Sequence, residues 1–216
     1  MLTFNYFSSA KVKNNFYMTK YLYKKLFMNK NITILLDNGH GKETPGKRSP
    51  KWSDGSQLFE WEYNRKLVDM IILKLEEMGI ESVKIVPEDT DISLSERASR
   101  VNKICKTKRC ILISVHCNAG GGTGWEIFST ASKNNSDKLA NVFVDTFKTN
   151  FPDAKCRGHK EKNFTLLYKA NCPCVLTENF FMDTEKDCRF LLSEEGFNQV
   201  VKLHVDSIVN YIEKYA

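Results

Sequence analysis

The stretch Cys110-Ile-Leu-Ile-Ser-Val115, followed at once by His116-Cys117-Asn118, decides the fold of this chain. An almost unbroken run of Ile, Leu and Val is typical of a strand that is buried on both faces of a parallel sheet. In open α/β sheets, functional sites form outside the carboxyl ends of the strands. The stretch therefore predicts a central parallel strand that delivers His116 to such a site.

Apolar strands and helical segments alternate on both sides of this stretch. Strands are predicted at 32–36, 82–86, 125–130, 164–168 and 174–177, and helices at 58–78, 93–103, 136–150 and 194–214. Ser93 and Glu96 form a Ser-x-x-Glu capping box at the start of one helix. The alternation predicts an α/β fold in three layers, with a mostly parallel (mixed) sheet of about six strands and helices on both faces.

Two other predicted strands also end in side chains that bind metals or move protons. His40 follows the strand at 32–36, and Glu178 directly follows the strand at 174–177. Because parallel strands present their carboxyl ends at the same edge, we expect both residues to meet His116 there. His159 lies in a loop and His204 at the boundary of the C-terminal helix, and their positions do not select them for the site.

A fourth candidate, Glu60, lies at the start of the first predicted helix, where Glu62 competes with it. The two side chains point about 200° apart on a helix, so only one of them faces inward. Glu60 shares the apolar stripe of Tyr63 and Leu67, whereas Glu62 lies on the wet face beside Lys66. The spacing therefore favours Glu60 as the inward carboxylate.

Together these four residues are typical of a metal-dependent hydrolase, with three metal ligands and one proton carrier. A lone histidine after a strand or a lone glutamate at a helix start is usually structural, so the prediction rests on their convergence. His40, Glu60 and His116 suit one Zn²⁺ ion and leave a coordination position for water. The metal would lower the pKa of that water, which acts as the nucleophile, while Glu178 takes up the proton and returns it to the leaving nitrogen.

Composition sets the limits of the chain. Its 216 residues fit one domain, and its net charge of +6 comes from six lysines in residues 1–30, which contain no acid. The remainder is formally neutral, so we expect no nucleic-acid partner. No apolar run reaches the roughly 20 residues of a transmembrane helix, and we find no continuous apolar stretch typical of a signal peptide. Seven scattered cysteines favour free thiols in a protein made in a reducing cytoplasm.

Residues 1–30 differ from the rest by combining these lysines with eight aromatic residues. We interpret them as a basic aromatic extension and residues 31–216 as the catalytic domain. The extension is a surface-associated segment, a poorly ordered leader, or a result of start-site choice, because Met18 and Met28 are alternative starts.

The motifs around the four residues resemble those of the zinc-dependent N-acetylmuramoyl-L-alanine amidases, which cleave bacterial peptidoglycan. The similar segments, in register over about 31–213, are Leu36–Gly41, Glu60–Asn64, Leu94–Asn102, Ser114–Asn118 and Pro173–Glu178. Each motif alone is weakly specific, but five in order are specific.

The resemblance implies hydrolysis of the amide between N-acetylmuramic acid and L-alanine, by a lysin or autolysin that acts on the cell wall after release by lysis or another export route. We expect a monomer. The resemblance also makes Asn118 a candidate substrate-binding residue. The loop at 42–57 and Arg157 flank the proposed cleft, and Arg157 is the better candidate for a substrate carboxylate.

The chain departs from the family pattern at two places. Asn38 replaces the usual proline, and Asn179-Phe180 replaces a small residue and glycine, which we expect to narrow or reshape the cleft. Two other functions stay open: a zinc peptidase that acts on stem peptides of the wall, and a non-catalytic peptidoglycan-binding domain.

Overall fold

Strands and helices alternate along residues 31–131 and 134–216, which the computed structural model describes. The strands are β1 (Thr33–Asn38), β2 (Ser82–Lys84), β3 (Cys110–Asn118), β4 (Trp125–Ser129), β5 (Cys156–Glu161) and β6 (Cys174–Phe181). The helices are α1 (Glu60–Glu77), α2 (Leu94–Cys105), α3 (Asn134–Asn150), α4 (Thr165–Lys169), α5 (Glu185–Leu192) and α6 (Glu194–Tyr215). The predicted α/β class is confirmed, and the proposed extension at 1–30 lies outside the described residues.

In the described part of the chain, the strands form one six-stranded mixed sheet in the order β2-β1-β3-β6-β4-β5. The four strands from β2 to β6 are parallel, β4 runs antiparallel to β6, and β5 is parallel to β4. β3 lies near the centre, as its apolar sequence predicts. Its residue His116 is in register with Glu178 of β6, so both side chains leave the sheet at the same edge.

Helices cover both faces of the sheet. One face packs against α1, α3, α5 and α6, and the other against α2 and α4. The apolar stripe of α1 enters the first core cluster through Leu67 and Ile71, while Glu62 pairs with Lys66 on the wet side, as predicted. Ser93 caps α2 by accepting a hydrogen bond from the Glu96 amide. No helix of the described residues is long and apolar enough to cross a membrane.

The predicted strand at 164–168 is wrong. That segment forms helix α4, because Leu166 and Leu167 are adjacent and both pack into the second core cluster, which a strand with alternating faces does not allow. The strand lies earlier, as β5, whose polar sequence at the sheet edge lacks the apolar signal. His204 is also not a boundary residue: it is fully buried in α6.

Candidate active site

Three predicted metal ligands converge at the carboxyl edge of the sheet. His40 lies in the loop after β1, Glu60 is the first residue of α1, and His116 is near the end of β3. One ligand atom from each lies within 4.8 Å of the others. His116 Nδ1 is 3.1 Å from Glu60 Oε1, and His40 Nε2 is 3.4 Å from Glu60 Oε2. The two rings meet edge to face, with centroids 4.8 Å apart.

The backbone of His40 is held in an uncommon conformation. Its φ of 66° is in the left-handed region, which costs a residue with a side chain about 1 kcal/mol or more. Two guanidinium groups bind its carbonyl oxygen: Arg65 donates at 3.0 Å and Arg97 at 3.3 Å. Arg97 also donates to Asp37 at 2.7 Å, and both side chains are buried. These contacts fix the backbone of His40 and so the point from which its imidazole extends.

His116 is fixed from its other side. A Cβ on Gly39 would lie 2.1 Å from the His116 ring, so only glycine fits beside it. The Asn179 amide donates to the His116 carbonyl at 2.9 Å, and the backbone N–H of Cys117 donates to Glu60 Oε1 at 3.1 Å. The Cys117 thiol faces Asn64 rather than the site, in keeping with the alternation of side chains along a strand.

A buried hydrogen-bond chain connects the site to the C-terminal helix. Asn179 also donates to the Thr177 hydroxyl at 3.2 Å, and that hydroxyl lies 3.0 Å from His204 Nε2. His204 Nδ1 lies 2.8 Å from the Val200 carbonyl, which makes Nδ1 the protonated nitrogen. Burial lowers the pKa of His204 to about 4, so this histidine is a neutral structural residue.

The charges of the cluster depend on one another. Burial alone would raise the pKa of the Glu60 carboxyl, but hydrogen bonds from His116 and His40 outweigh it and hold that pKa well below its usual range. Burial lowers the pKa of His40. Burial also acts to lower the pKa of His116, but the Glu60 and Glu178 carboxylates reverse the effect and raise it. The site is therefore built around an ionised Glu60, the form that binds a cation.

The donor set fits a zinc ion. Two imidazoles and one carboxylate are typical ligands of a catalytic zinc, and ligand atoms on one tetrahedral ion lie about 3.3 Å apart. The two imidazoles lie 3.1 and 3.4 Å from the two oxygens of Glu60, and one ligand atom from each residue lies within 4.8 Å of the others, so the three side chains can close on one ion. Glu60 Oε2 is buried, and in the described chain it makes no contact of hydrogen-bond geometry, since its neighbour His40 Nε2 is 3.4 Å away; a bound cation would satisfy this oxygen.

Glu178 lies beside this cluster on β6. Its Oε2 is buried and has no hydrogen-bond partner among the described residues. Burial raises the pKa of its carboxyl to about 7, and the nearby His116 acts in the opposite direction. A carboxyl group with this pKa is suited to take up and release a proton near neutral pH.

The two predicted substrate-binding residues meet at a buried carboxylate that sequence reasoning missed. Asn118 Nδ2 donates to Glu126 Oε1 at 2.6 Å, and Arg157 Nε donates to Glu126 Oε2 at 2.8 Å. Lys160 is a third donor to the same group. Glu126 is in register with Glu178 on the neighbouring strand, so this cluster carries one net positive charge next to the proposed catalytic group.

Phe180 does not narrow the cleft, contrary to the sequence prediction. Its φ of 59° turns the side chain into the core, where the ring packs against Phe151 and Phe190, with centroids 5.7 and 4.9 Å away. Glycine would adopt this left-handed backbone without strain, whereas Phe180 adopts it at a cost in free energy. The aromatic ring stabilises the core under the site and leaves the cleft open.

Two other residues of the site escaped the sequence analysis. Arg65 is buried in α1, and Lys47 lines the cleft from the loop before α1. Glu126 carried a usable signal, since it interrupts the apolar run Trp125–Phe128. Lys47 carried none, because it is one of several lysines in a polar loop.

This arrangement is of the kind found in metal-assisted hydrolases built on α/β sheets. A family model described as N-acetylmuramoyl-L-alanine amidase matches residues 34–210. The chain therefore belongs to that family, and it is an enzyme of that class. The resemblance stated from the motifs is confirmed.

Similar proteins agree with this assignment. The chain is 27% identical over 180 residues to the sporulation-specific N-acetylmuramoyl-L-alanine amidase of Bacillus subtilis (strain 168), a match that covers 82% of this chain and 67% of that protein. It is 29% identical over 187 residues to the uncharacterized protein YqiI of the same organism, covering 85% and 84%. The crystal structure of an N-acetylmuramoyl-L-alanine amidase from Clostridium difficile 630 superposes with a TM-score of 0.78 and 26% identity, covering 87% of this chain and all of that one.

Proposed function

We propose that this amidase hydrolyses the bond between N-acetylmuramic acid and L-alanine in peptidoglycan with one zinc ion, held by His40, Glu60 and His116. The supporting observation is the convergence of these three residues around the buried Glu60 Oε2, which makes no contact of hydrogen-bond geometry with the described residues. When bound, the ion would supply Lewis acidity at the scissile carbonyl and acidify a water molecule. Glu178 then takes a proton from the attacking water and returns it to the leaving nitrogen.

We further propose that Asn118 and Arg157 serve the substrate through the Glu126 cluster. Glu126 holds Arg157 by its Nε, so that the guanidinium keeps a fixed orientation beside Phe181, whose ring centre is 5.0 Å from the guanidinium carbon. Asn118 orients the other oxygen of Glu126. The net positive charge of this cluster, in register with Glu178, would suit a carboxylate of the substrate.

The catalytic proposal is tested by mass spectrometry of purified peptidoglycan after digestion. We expect free stem peptides that begin with L-alanine from the native enzyme, and none after chelation or with Glu178→Gln. Glu62→Gln is the matched control, because that carboxylate pairs with Lys66 on the surface. Zinc bound to each variant, measured by elemental analysis, separates loss of metal from loss of the proton carrier.

The same digestion separates the rival functions. A peptidase would release fragments cut within the stem peptide and leave the lactyl-alanine bond intact. A binding domain would hold stoichiometric zinc and release no product from walls of several kinds. Either result would overturn the amidase mechanism proposed for these residues.

The remaining proposals concern the whole chain. We infer that residues 31–216 form the catalytic domain, that residues 1–30 are an extension, and that the enzyme works as a monomer on the cell wall. Sedimentation of the full chain tests the monomer, and activity of the chain from residue 31 tests the boundary.

A further inference from the structure

A groove of about 650 Å³ runs from the proposed metal site between α2 and α4. Its lining also includes five apolar side chains: Ile92, Leu94, Phe164, Leu166 and Leu176. Leu94 is half exposed there. Such a surface suits the aliphatic parts of a peptide that continues past the scissile bond.

Two acids in the groove wall are already neutralised by partners. Asp37 and Asp91 both pair with Arg97, at 2.7 and 3.0 Å, and Asp91 also accepts a hydrogen bond from Thr44. These charges hold the loops on either side in place. They do not offer an unpaired group to a ligand.

Lys47 differs from these residues. It lines the same groove and is half-buried, yet within the described ranges its ammonium group has no hydrogen-bonded or ion-paired carboxylate. Its backbone is fixed at the site, because its carbonyl accepts a hydrogen bond from the Glu60 amide at 3.0 Å. Its charge also reaches the catalytic groups, since it acts to lower the pKa of both His40 and Glu178. A partly desolvated cation without a partner is costly unless a ligand supplies the anion.

The other cations near Glu178 do not line this groove. Arg157 and Lys160 share Glu126. Lys42 and Lys51, from the same loop as Lys47, are exposed and lie outside the groove. Lys47 is therefore the groove residue best placed for a carboxylate of the substrate.

We propose that Lys47 binds the α-carboxylate of the second stem residue, the γ-linked glutamate that follows L-alanine, and so makes the enzyme prefer a free acid at that position over its amide. This proposal rests on the proposed amidase function. Consecutive Cα atoms lie 3.8 Å apart, so that carboxylate lies within about 8 Å of the scissile carbonyl, a range that a lysine beside the site spans. An ammonium forms a charge-assisted hydrogen bond with a carboxylate but not with a neutral amide.

The test compares kcat/KM on soluble glycan strands whose second stem residue carries either a free or an amidated α-carboxylate. A charge-assisted hydrogen bond contributes about 1.5 kcal/mol, so we expect the native enzyme to prefer the free acid by about tenfold. Lys47→Met should lose this preference because it slows much more on the acid than on the amide, and Lys47→Arg should retain most of it. Lys51→Met, the matched control from the same loop, should behave as the native enzyme does.

Three outcomes overturn the proposal for Lys47. These are an absence of preference in the native enzyme, a preference that survives in Lys47→Met, and an equal loss on both substrates, which would place Lys47 at the reacting carbonyl. A native enzyme that releases L-alanine-terminated peptides from no strand and from no intact wall would instead refute the proposed function. The two failures are therefore distinguishable.

Discussion

Replacing Arg97 by methionine should destabilise the protein far more than the same change at Arg100, one helical turn later. Arg97 is 2% exposed and donates to two carboxylates, Asp37 and Asp91, and to the His40 carbonyl. Removing one partner of a buried ion pair leaves an uncompensated charge and typically costs 3–5 kcal/mol, here about 4 kcal/mol. At an m-value of about 2 kcal/mol/M, the urea midpoint should fall by about 2 M.

Arg100 is the matched control because it makes as many charged contacts from a wetter position. Its side chain is 29% exposed and pairs with Glu88 and Glu96 at 2.8 and 3.1 Å. Exposed ion pairs contribute up to about 1 kcal/mol, so Arg100→Met should lower the midpoint by no more than about 0.5 M. Urea titrations of the full chain, followed by circular dichroism, measure both variants.

A double variant tests whether the unpaired charge of Asp37 causes the loss of stability. If the unpaired charge of Asp37 is the cause, Arg97→Met with Asp37→Leu should be more stable than Arg97→Met alone, because an apolar pair replaces a lone buried charge. Equal urea midpoints for Arg97→Met and Arg100→Met would show that the buried ion pair does not stabilise this region. A double variant less stable than Arg97→Met would show the same.

Three further predictions concern single residues. At Phe180, glycine should be the more stable replacement, although alanine is at most positions. The free energy of unfolding of Phe180→Gly should exceed that of Phe180→Ala by about 1 kcal/mol, because glycine adopts the left-handed backbone without strain. A higher melting temperature for Phe180→Ala would contradict this. Gly39→Ala should abolish zinc binding in a chelator competition assay, since its Cβ would collide with His116. Gly46→Ala has open space around it but a φ of 74°, so it should lose some stability and still bind zinc; intact binding by Gly39→Ala would refute the fit. The pKa of His204 is about 4 in the folded protein and 6.5 in an unfolded chain, so the unfolded chain binds the proton first and acid favours unfolding. The free energy of unfolding should fall by up to about 3 kcal/mol between pH 6.5 and 4. In His204→Gln, the urea midpoint should change less with pH over this range.

Much of the site follows from sequence because its residues stand at the ends of elements. His116 and Glu178 come directly after apolar runs, and parallel pairing brings such positions together whatever the loops do. Helical geometry alone separates Glu60 from Glu62. Their roles as metal ligands and proton carrier stay predictions until the digestion experiment is done.

The parts that sequence did not predict depend on tertiary contacts. Nothing in the local pattern of Thr165–Lys169 distinguishes a short helix from a strand, since its type depends on which core receives Leu166 and Leu167. The roles of Arg65 and Lys47 depend on a loop conformation that periodicity does not encode. Phe180 has no sequence signal for its left-handed backbone, which exists only because the aromatic core outweighs the strain.

The polar edge strand β5 has a consequence for behaviour in concentrated solution. An outermost strand presents unpaired backbone groups, onto which a strand of another molecule can add and start an aggregate. Arg157, Lys160 and Glu161 distribute charge along this edge, and Gly158, with φ of 79°, interrupts its regular pleat. An incoming strand would therefore have to desolvate charges against an irregular partner. The polarity that concealed β5 in the sequence protects the sheet from edge-to-edge aggregation.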